Sequence, residues 1–228
     1  MKGIRLLIFS TLLLASCQTL PAINSVLPQA RLKSALCPSP FLKEPYRLVH
    51  AIEARSGGEI QGAIIGVTLV DPSTRFVSCA IMTAEGMVLF EAEAKPALKV
   101  IRALPPFDSG HFAKNMIEDI KLIFLAPEGV IQTKGILADG TGICRWQEKS
   151  GAWIDLIAGL PDGIEINKYS SSGNWQRRIK LNPTAENVYS RIELKAREAV
   201  NYSLTMTLIE AEPQEGELKT EKNKGSEE

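Results

Sequence analysis

The feature that most constrains this chain is a long succession of short strand-like runs, interrupted only once by a helical period. Runs rich in β-branched and apolar residues cover Tyr46–Ile52, Glu59–Val70, Thr74–Met82 and Met87–Ala92. They resume at Val130–Leu137, Ile143–Trp146, Ala152–Leu156, Ile164–Tyr169, Trp175–Leu181, Val188–Arg197 and Ala199–Ile209. The last run is the clearest: Val200, Tyr202, Leu204, Met206 and Leu208 alternate with Asn201, Ser203, Thr205 and Thr207, the period of a half-buried strand. Ser56-Gly57-Gly58, Asp71-Pro72-Ser73, Ala84-Glu85-Gly86 and Asp139-Gly140-Thr141-Gly142 separate neighbouring runs. Connections this short join antiparallel neighbours and leave no room for crossover helices. Within the second run, Ala63, Ile65, Val67 and Leu69 share one face, and Gly62 and Gly66 on the other suit a bend or bulge.

The period changes after Pro105-Pro106. Phe112, Met116, Ile117, Ile120, Ile123 and Phe124 recur at three- and four-residue spacing, with Lys114, Asn115, Glu118 and Lys121 on the opposite side. This predicts one amphipathic helix, capped by Asp108 or Ser109 and ending before Pro127-Glu128-Gly129. About nine to eleven antiparallel strands in one open sheet would expose long edges and a large apolar face. The expected fold is therefore mainly β: a curved antiparallel half-barrel whose concave face is covered by the helix. Phe90, Phe112, Met116, Ile120, Tyr202, Leu204 and Met206 are the candidate lining of its interior, either as a hydrophobic-ligand cavity or as a filled core. Flexible methionines and few aromatic rings (6%) lean toward a cavity.

The N-terminus places the domain. Lys2 and Arg5 precede an apolar run from Leu6 to Ala15, which is too short for a mature transmembrane helix and ends at Leu14-Ala15-Ser16-Cys17. An ordinary signal peptide with an incidental cysteine is the plainer alternative. Losing residues 1–16 takes the balance from 26 basic against 26 acidic residues to 24 against 26, a net −2. That gives no electrostatic basis for nucleic-acid binding. The predicted organisation is a signal peptide over 1–16, a Pro-rich tether over 17–43, one domain over 44–211 and a charged, disordered tail over 212–228. Apolar residues of the tether such as Ile23, Val26, Leu27 and Leu32 leave partial docking on the domain as its alternative.

Cys37, Cys79 and Cys144 remain beside Cys17. Three buried thiols are the plainer reading; if one disulfide forms, Cys79–Cys144 is the expected pairing, because both lie in strand-like runs. No CxxC or Cys/His cluster points to a metal, and no cofactor is expected. Catalysis finds little support. There is no GxSxG, Ser170-Ser171-Ser172-Gly173 reads as a hairpin loop, and the glycines around Asp139 do not lead from a strand into a helix. His50 and His111 are isolated, and Glu91 with Glu93 reads as a solvated strand face rather than a carboxylate pair.

Taken together, the Leu-Ala-Ser-Cys quartet, the meander from Tyr46 to Ala92, Pro105-Pro106-Phe107-Asp108-Ser109-Gly110 leading into the helix, and the closing strands from Arg191 to Glu210 resemble the LolA/LolB superfamily of lipoprotein carriers and acceptors, nearest the LolB-related lipoproteins. The quartet resembles a lipobox, which implies that Cys17 is acylated and becomes the first mature residue. The resemblance further implies an unclosed barrel with a helical lid over a cavity for acyl chains. It implies a membrane partner through the Cys17 lipid and an acylated lipoprotein or lipid as ligand. Gln18, rather than aspartate, after the cysteine implies the periplasmic side of a Gram-negative outer membrane.

Overall fold

The structure is a computed structural model and describes residues 20–24, 37–57, 59–160, 163–183, 188–197 and 201–214. The signal peptide, Cys17, most of the tether and most of the tail lie outside these residues. Five strands come first: β1 (Tyr46–Ser56), β2 (Glu59–Asp71), β3 (Phe76–Met82), β4 (Val88–Ala94) and β5 (Leu98–Ala103). Helix α1 (Gly110–Phe124) follows. Then come β6 (Gly129–Ile136), β7 (Gly142–Glu148), β8 (Trp153–Leu160), β9 (Gly163–Tyr169), β10 (Trp175–Pro183), β11 (Tyr189–Ala196) and β12 (Tyr202–Pro213).

All twelve strands form one antiparallel sheet in the order β5-β4-β3-β2-β1-β12-β11-β10-β9-β8-β7-β6. Every neighbour in space is a neighbour in sequence except β1 and β12, whose long pairing joins the two meanders. The sheet does not close, so β5 and β6 are its edges. β5 was absent from the sequence reading: Lys99 and Arg102 break the apolar pattern of Leu98–Ala103, as suits an exposed edge strand.

Register decides which residues face the concave side. Cys144, Leu156, Ile166, Ile179, Leu194, Leu204 and Ala54 are successive partners across seven strands, so they share one face. In β2 that inward face carries Ile64, Gly66, Thr68 and Val70, opposite Ile52, His50, Leu48 and Tyr46 of β1. Ala63, Ile65, Val67 and Leu69 share the outer face. The two glycines have separate reasons. Gly62 has φ +149° where the β1–β2 register shifts, a bulge. Gly66 admits a close approach, since a Cβ there would lie 2.5 Å from Ile52 Cδ1.

The described part of the N-terminal segment is docked on the domain rather than free, the alternative that its apolar residues left open. Asn24 bridges edge strand β6 through paired backbone hydrogen bonds with Ile136 (2.9 and 3.1 Å). A side chain at Gly135 would collide with Ile23 and Asn24. Arg145 clamps Asp155 through both carboxylate oxygens at 2.7 Å and donates a further bond to the Pro21 carbonyl at 3.0 Å. Burial pushes Asp155 up from the ordinary carboxylate range, against the lowering effect of Arg145. Residues 37–45 are fixed as well: Phe41 and Leu42 are buried, Leu42 N–H donates to the Phe124 carbonyl, and Tyr189 OH donates to the Pro40 carbonyl.

The disulfide joins Cys37 to Cys144, not Cys79 to Cys144. Cys79 faces inward from β3 as a buried free thiol, which burial pushes up to about 12. The sequence pairing failed because Cys37 was assigned to the tether. The tail boundary shifts for a similar reason: Glu212 and Pro213 extend β12, and Gln214 N–H bonds the Pro45 carbonyl.

The disulfide closes a span of 107 residues. By loop entropy, Cys37→Ser with Cys144→Ser is expected to cost about 4–5 kcal/mol in urea denaturation. Cys79→Ser should cost far less, and peptide mapping without reductant should recover Cys37 linked to Cys144.

Candidate ligand-binding interior

α1 forms as its sequence directs. Ser109 is the N-cap, its Oγ accepting the Phe112 N–H at 3.1 Å. The Leu125 N–H closes the last turn on the Lys121 carbonyl at 2.9 Å. Ala113, Ile117, Ile120, Ile123 and Phe124 are buried beneath it. Its contacts with the sheet concentrate on β3, β4 and β5.

The seven expected lining residues come together in one apolar cluster with α1 on one side and the concave sheet on the other. Phe90, Ile120 and Met206 are buried within it, whereas Phe112, Met116, Tyr202 and Leu204 are half-buried at its margin. Phe112 meets Phe90 edge-to-face, with ring centroids 5.1 Å apart. Leu204 lies opposite Leu194 and Ala54, and Met206 opposite Ile192 and Ile52. Side chains therefore meet across the interior in this form of the protein. Two open recesses lie elsewhere. One, of about 320 Å³, sits between α1 and β9–β10 beside Lys114, Glu118 and Lys168. The other, of about 810 Å³, is on the outer face among Glu53, Arg55, Arg191, Glu193 and Lys195. Both are rimmed by charged side chains.

Sequence reasoning missed a polar cluster on the far side of α1. Asp119 turns inward from the helix, and Arg177 of β10 donates from Nε to its Oδ1 at 2.7 Å. Tyr202 of β12 donates its hydroxyl to the other carboxylate oxygen, and the Arg177 guanidinium stacks 5.6 Å from the Tyr202 ring. Arg177 is only 3% exposed. One edge of α1 is thus held by apolar contact with β3–β5, and the other by a charged clasp to β10 and β12. A signal was present in the sequence: alternation places Arg177 on the same face as Ile179 and Leu181, and Asp119 adjoins Ile120.

The exposed apolar residues are also unevenly placed. Among the described residues, the large ones are Met87, Leu98, Val100, Ile101, Leu104, Val130, Ile131 and Ile209. Five of these lie on the edge strands β5 and β6, and Leu104 directly follows β5. The two edges that flank α1 in the chain are therefore the apolar ones.

No helix among the described residues is long and apolar enough to cross a membrane, and no group of three or more His, Cys, Asp or Glu among them is placed to hold a metal ion. Glu91 and Glu93 face outward from β4, paired in register with Arg102 and Lys99 of β5. His111 is exposed in the first turn of α1, and His50 is buried beside Phe124.

No family model matches the chain, and no curated protein matches it. Among solved structures, the crystal structure of a LolA superfamily protein from Nitrosomonas europaea aligns with a TM-score of 0.52 at 12% identity. The alignment covers 83% of this chain and 94% of that one. The chain shares the fold of that protein, here an unclosed antiparallel sheet with one helix over it. The likeness drawn from the sequence holds at the level of fold.

Two predictions follow from the interior. Asp119→Asn leaves the Arg177 charge buried without its counter-charge and is expected to cost about 3–5 kcal/mol in denaturant unfolding. Asp119→Leu with Arg177→Met should recover most of that loss. His50 is lowered by burial from 6.5 to about 4. The unfolded chain therefore takes up a proton between these values that the folded protein refuses. Stability is full above pH 6.5 and falls by roughly 3 kcal/mol as pH drops toward 4. His50→Leu should remove that component from a pH series of melting curves.

Proposed function

We propose that the protein is a membrane-anchored periplasmic lipoprotein that binds acyl chains of lipoproteins or lipids beneath α1. It would act as an acceptor or carrier in outer-membrane lipoprotein or lipid localisation, with binding rather than catalysis as its activity. Anchoring is through acylated Cys17, and Gln18 after it favours the outer membrane. The observation that carries the reading is the concentration of exposed apolar side chains on β5 and β6. Such patches mark where an apolar partner docks, and the one on β5 borders the helix that covers the apolar interior.

The closed interior is compatible with this reading on energetic grounds. Exchanging the Asp119 clasp for water costs at most about 3–5 kcal/mol, the loss seen when such a pair is broken with one charge left buried. Each buried methylene returns about 0.8 kcal/mol, so about four to six of them offset the clasp. α1 can then swing on its apolar contacts with β3–β5, carrying Met116 away from Tyr202 and Leu204.

A second reading keeps the interior permanently filled and has an envelope assembly lipoprotein act through its surface. The full burial of Phe90 and the packing of Met206 favour it. Native mass spectrometry of residues 18–228 purified from periplasm separates the two. The carrier reading expects a co-purified lipid or acylated peptide, lost in Met116→Glu and Leu204→Glu variants that remain folded. A mass that stays lipid-free after incubation with fatty acids and phospholipids would overturn it in favour of the assembly protein.

A further inference from the structure

The docked N-terminal segment fixes where the lipid anchor leaves the domain. Leu20 packs at the turn between β9 and β10, where a Cβ on Gly173 would lie 3.4 Å from its Cδ1. Pro21 is tied to Arg145, and Asn24 to Ile136. Only three residue steps separate Leu20 from Cys17, and three fully extended steps reach at most about 11 Å. That length is close to the thickness of a headgroup layer, roughly 5–8 Å on each side of a bilayer.

The end of the sheet around Leu20 suits such a boundary. Trp153, Tyr169 and Trp175 are register partners on the outer face of β8, β9 and β10, in the last pair before the turns. Tyr169 is buried, and the half-buried Trp153 and Trp175 form the surface of this row. Trp, with an apolar body and a polar edge, settles at a membrane–water boundary. The tips of the turns beyond them, Lys149 to Gly151 and Ser170 to Asn174, carry no carboxylate, and that of Glu148 at the base of the first is paired with Lys168. These turns touch, since a Cβ on Gly151 would lie 3.3 Å from Ser171 Cβ.

We propose that this end of the sheet, the β7–β8 and β9–β10 turns with the Trp153–Tyr169–Trp175 row behind them, rests on the phospholipid leaflet that holds Cys17. The inference rests on acylation of Cys17, which belongs to the function proposed above. The domain then stands on the membrane with its strands rising from it, and the β2–β3 turn at Ser73 points away. Without the docked segment, a Pro-rich tether would let the domain roam tens of ångströms from the surface.

The test uses full-length, lipidated protein in phosphatidylethanolamine/phosphatidylglycerol vesicles containing a headgroup-labelled quencher lipid. A fluorophore is attached at Ser172→Cys on the near turn or Ser73→Cys on the far one. Quenching is expected to be several-fold stronger at position 172, and a flexible eight-residue insertion after Gln18 should abolish the difference. Equal quenching at the two positions, with a diacylglyceryl mass confirmed on Cys17, overturns the orientation and leaves the anchor reading intact. Absence of that mass overturns both.

Discussion

An unclosed antiparallel sheet with one apolar face cannot leave that face in water, and the Asp119–Arg177 pair decides how this one is covered. Apolar contact alone holds α1 over β3–β5, the half of the sheet that precedes it in the chain. The other half, β12 to β6, is laid down after the helix and meets it through a carboxylate bonded to an arginine and a tyrosine. A buried ion pair adds little net stability compared with apolar packing of the same volume, yet removing one partner is costly. Such a contact fixes a single closed position without making it deep. That combination suits a cover that must both register and release.

The outer face repeats the device. Arg145, held by Asp155, reaches the backbone of Pro21 and fastens the N-terminal segment over β7–β9. Two arginines, Arg177 buried and Arg145 partly so, each oriented by an aspartate, thus hold two non-strand segments on opposite faces of one sheet. Between them, the Cys37–Cys144 disulfide returns the chain from the outer face at Asn24 to the inward face of β7. The described parts of the N-terminal segment, residues 20–24 and 37–45, are thereby tied to the outer face and to the helix-covered interior of one body.

Much of this was legible in the residues. Period-two runs and glycine-bearing turns located eleven of the twelve strands, and the three- and four-residue spacing of Phe112 to Phe124 located the helix with its Ser109 cap. Placing strands and helix in one curved layer followed from having a single apolar helix and a large sheet. Three things were not legible, each for a physical reason. Proline content argued for a loose segment at 17–43, and local composition cannot report that Arg145, over a hundred residues away, would bind its backbone. Cys37 was therefore discounted as a disulfide partner. Asp119 was assigned to neither face of the helix, because the role of one inward carboxylate shows only once the opposing arginine is in place. The seven lining residues did converge on one interior, but whether they part to admit a ligand depends on the energetics of α1 rather than on their identity.

Hydrogen exchange of the α1 amides, set against those of β10 to β12, tests whether the helix is a releasable cover. The account predicts that residues 110–124 exchange through a local opening, well before the sheet. It also predicts that Asp119→Asn with Arg177→Met speeds this opening while β1 and β12 keep their protection. Exchange of α1 only together with the whole sheet, unchanged by loss of the clasp, would contradict it and make the helix a fixed part of the core.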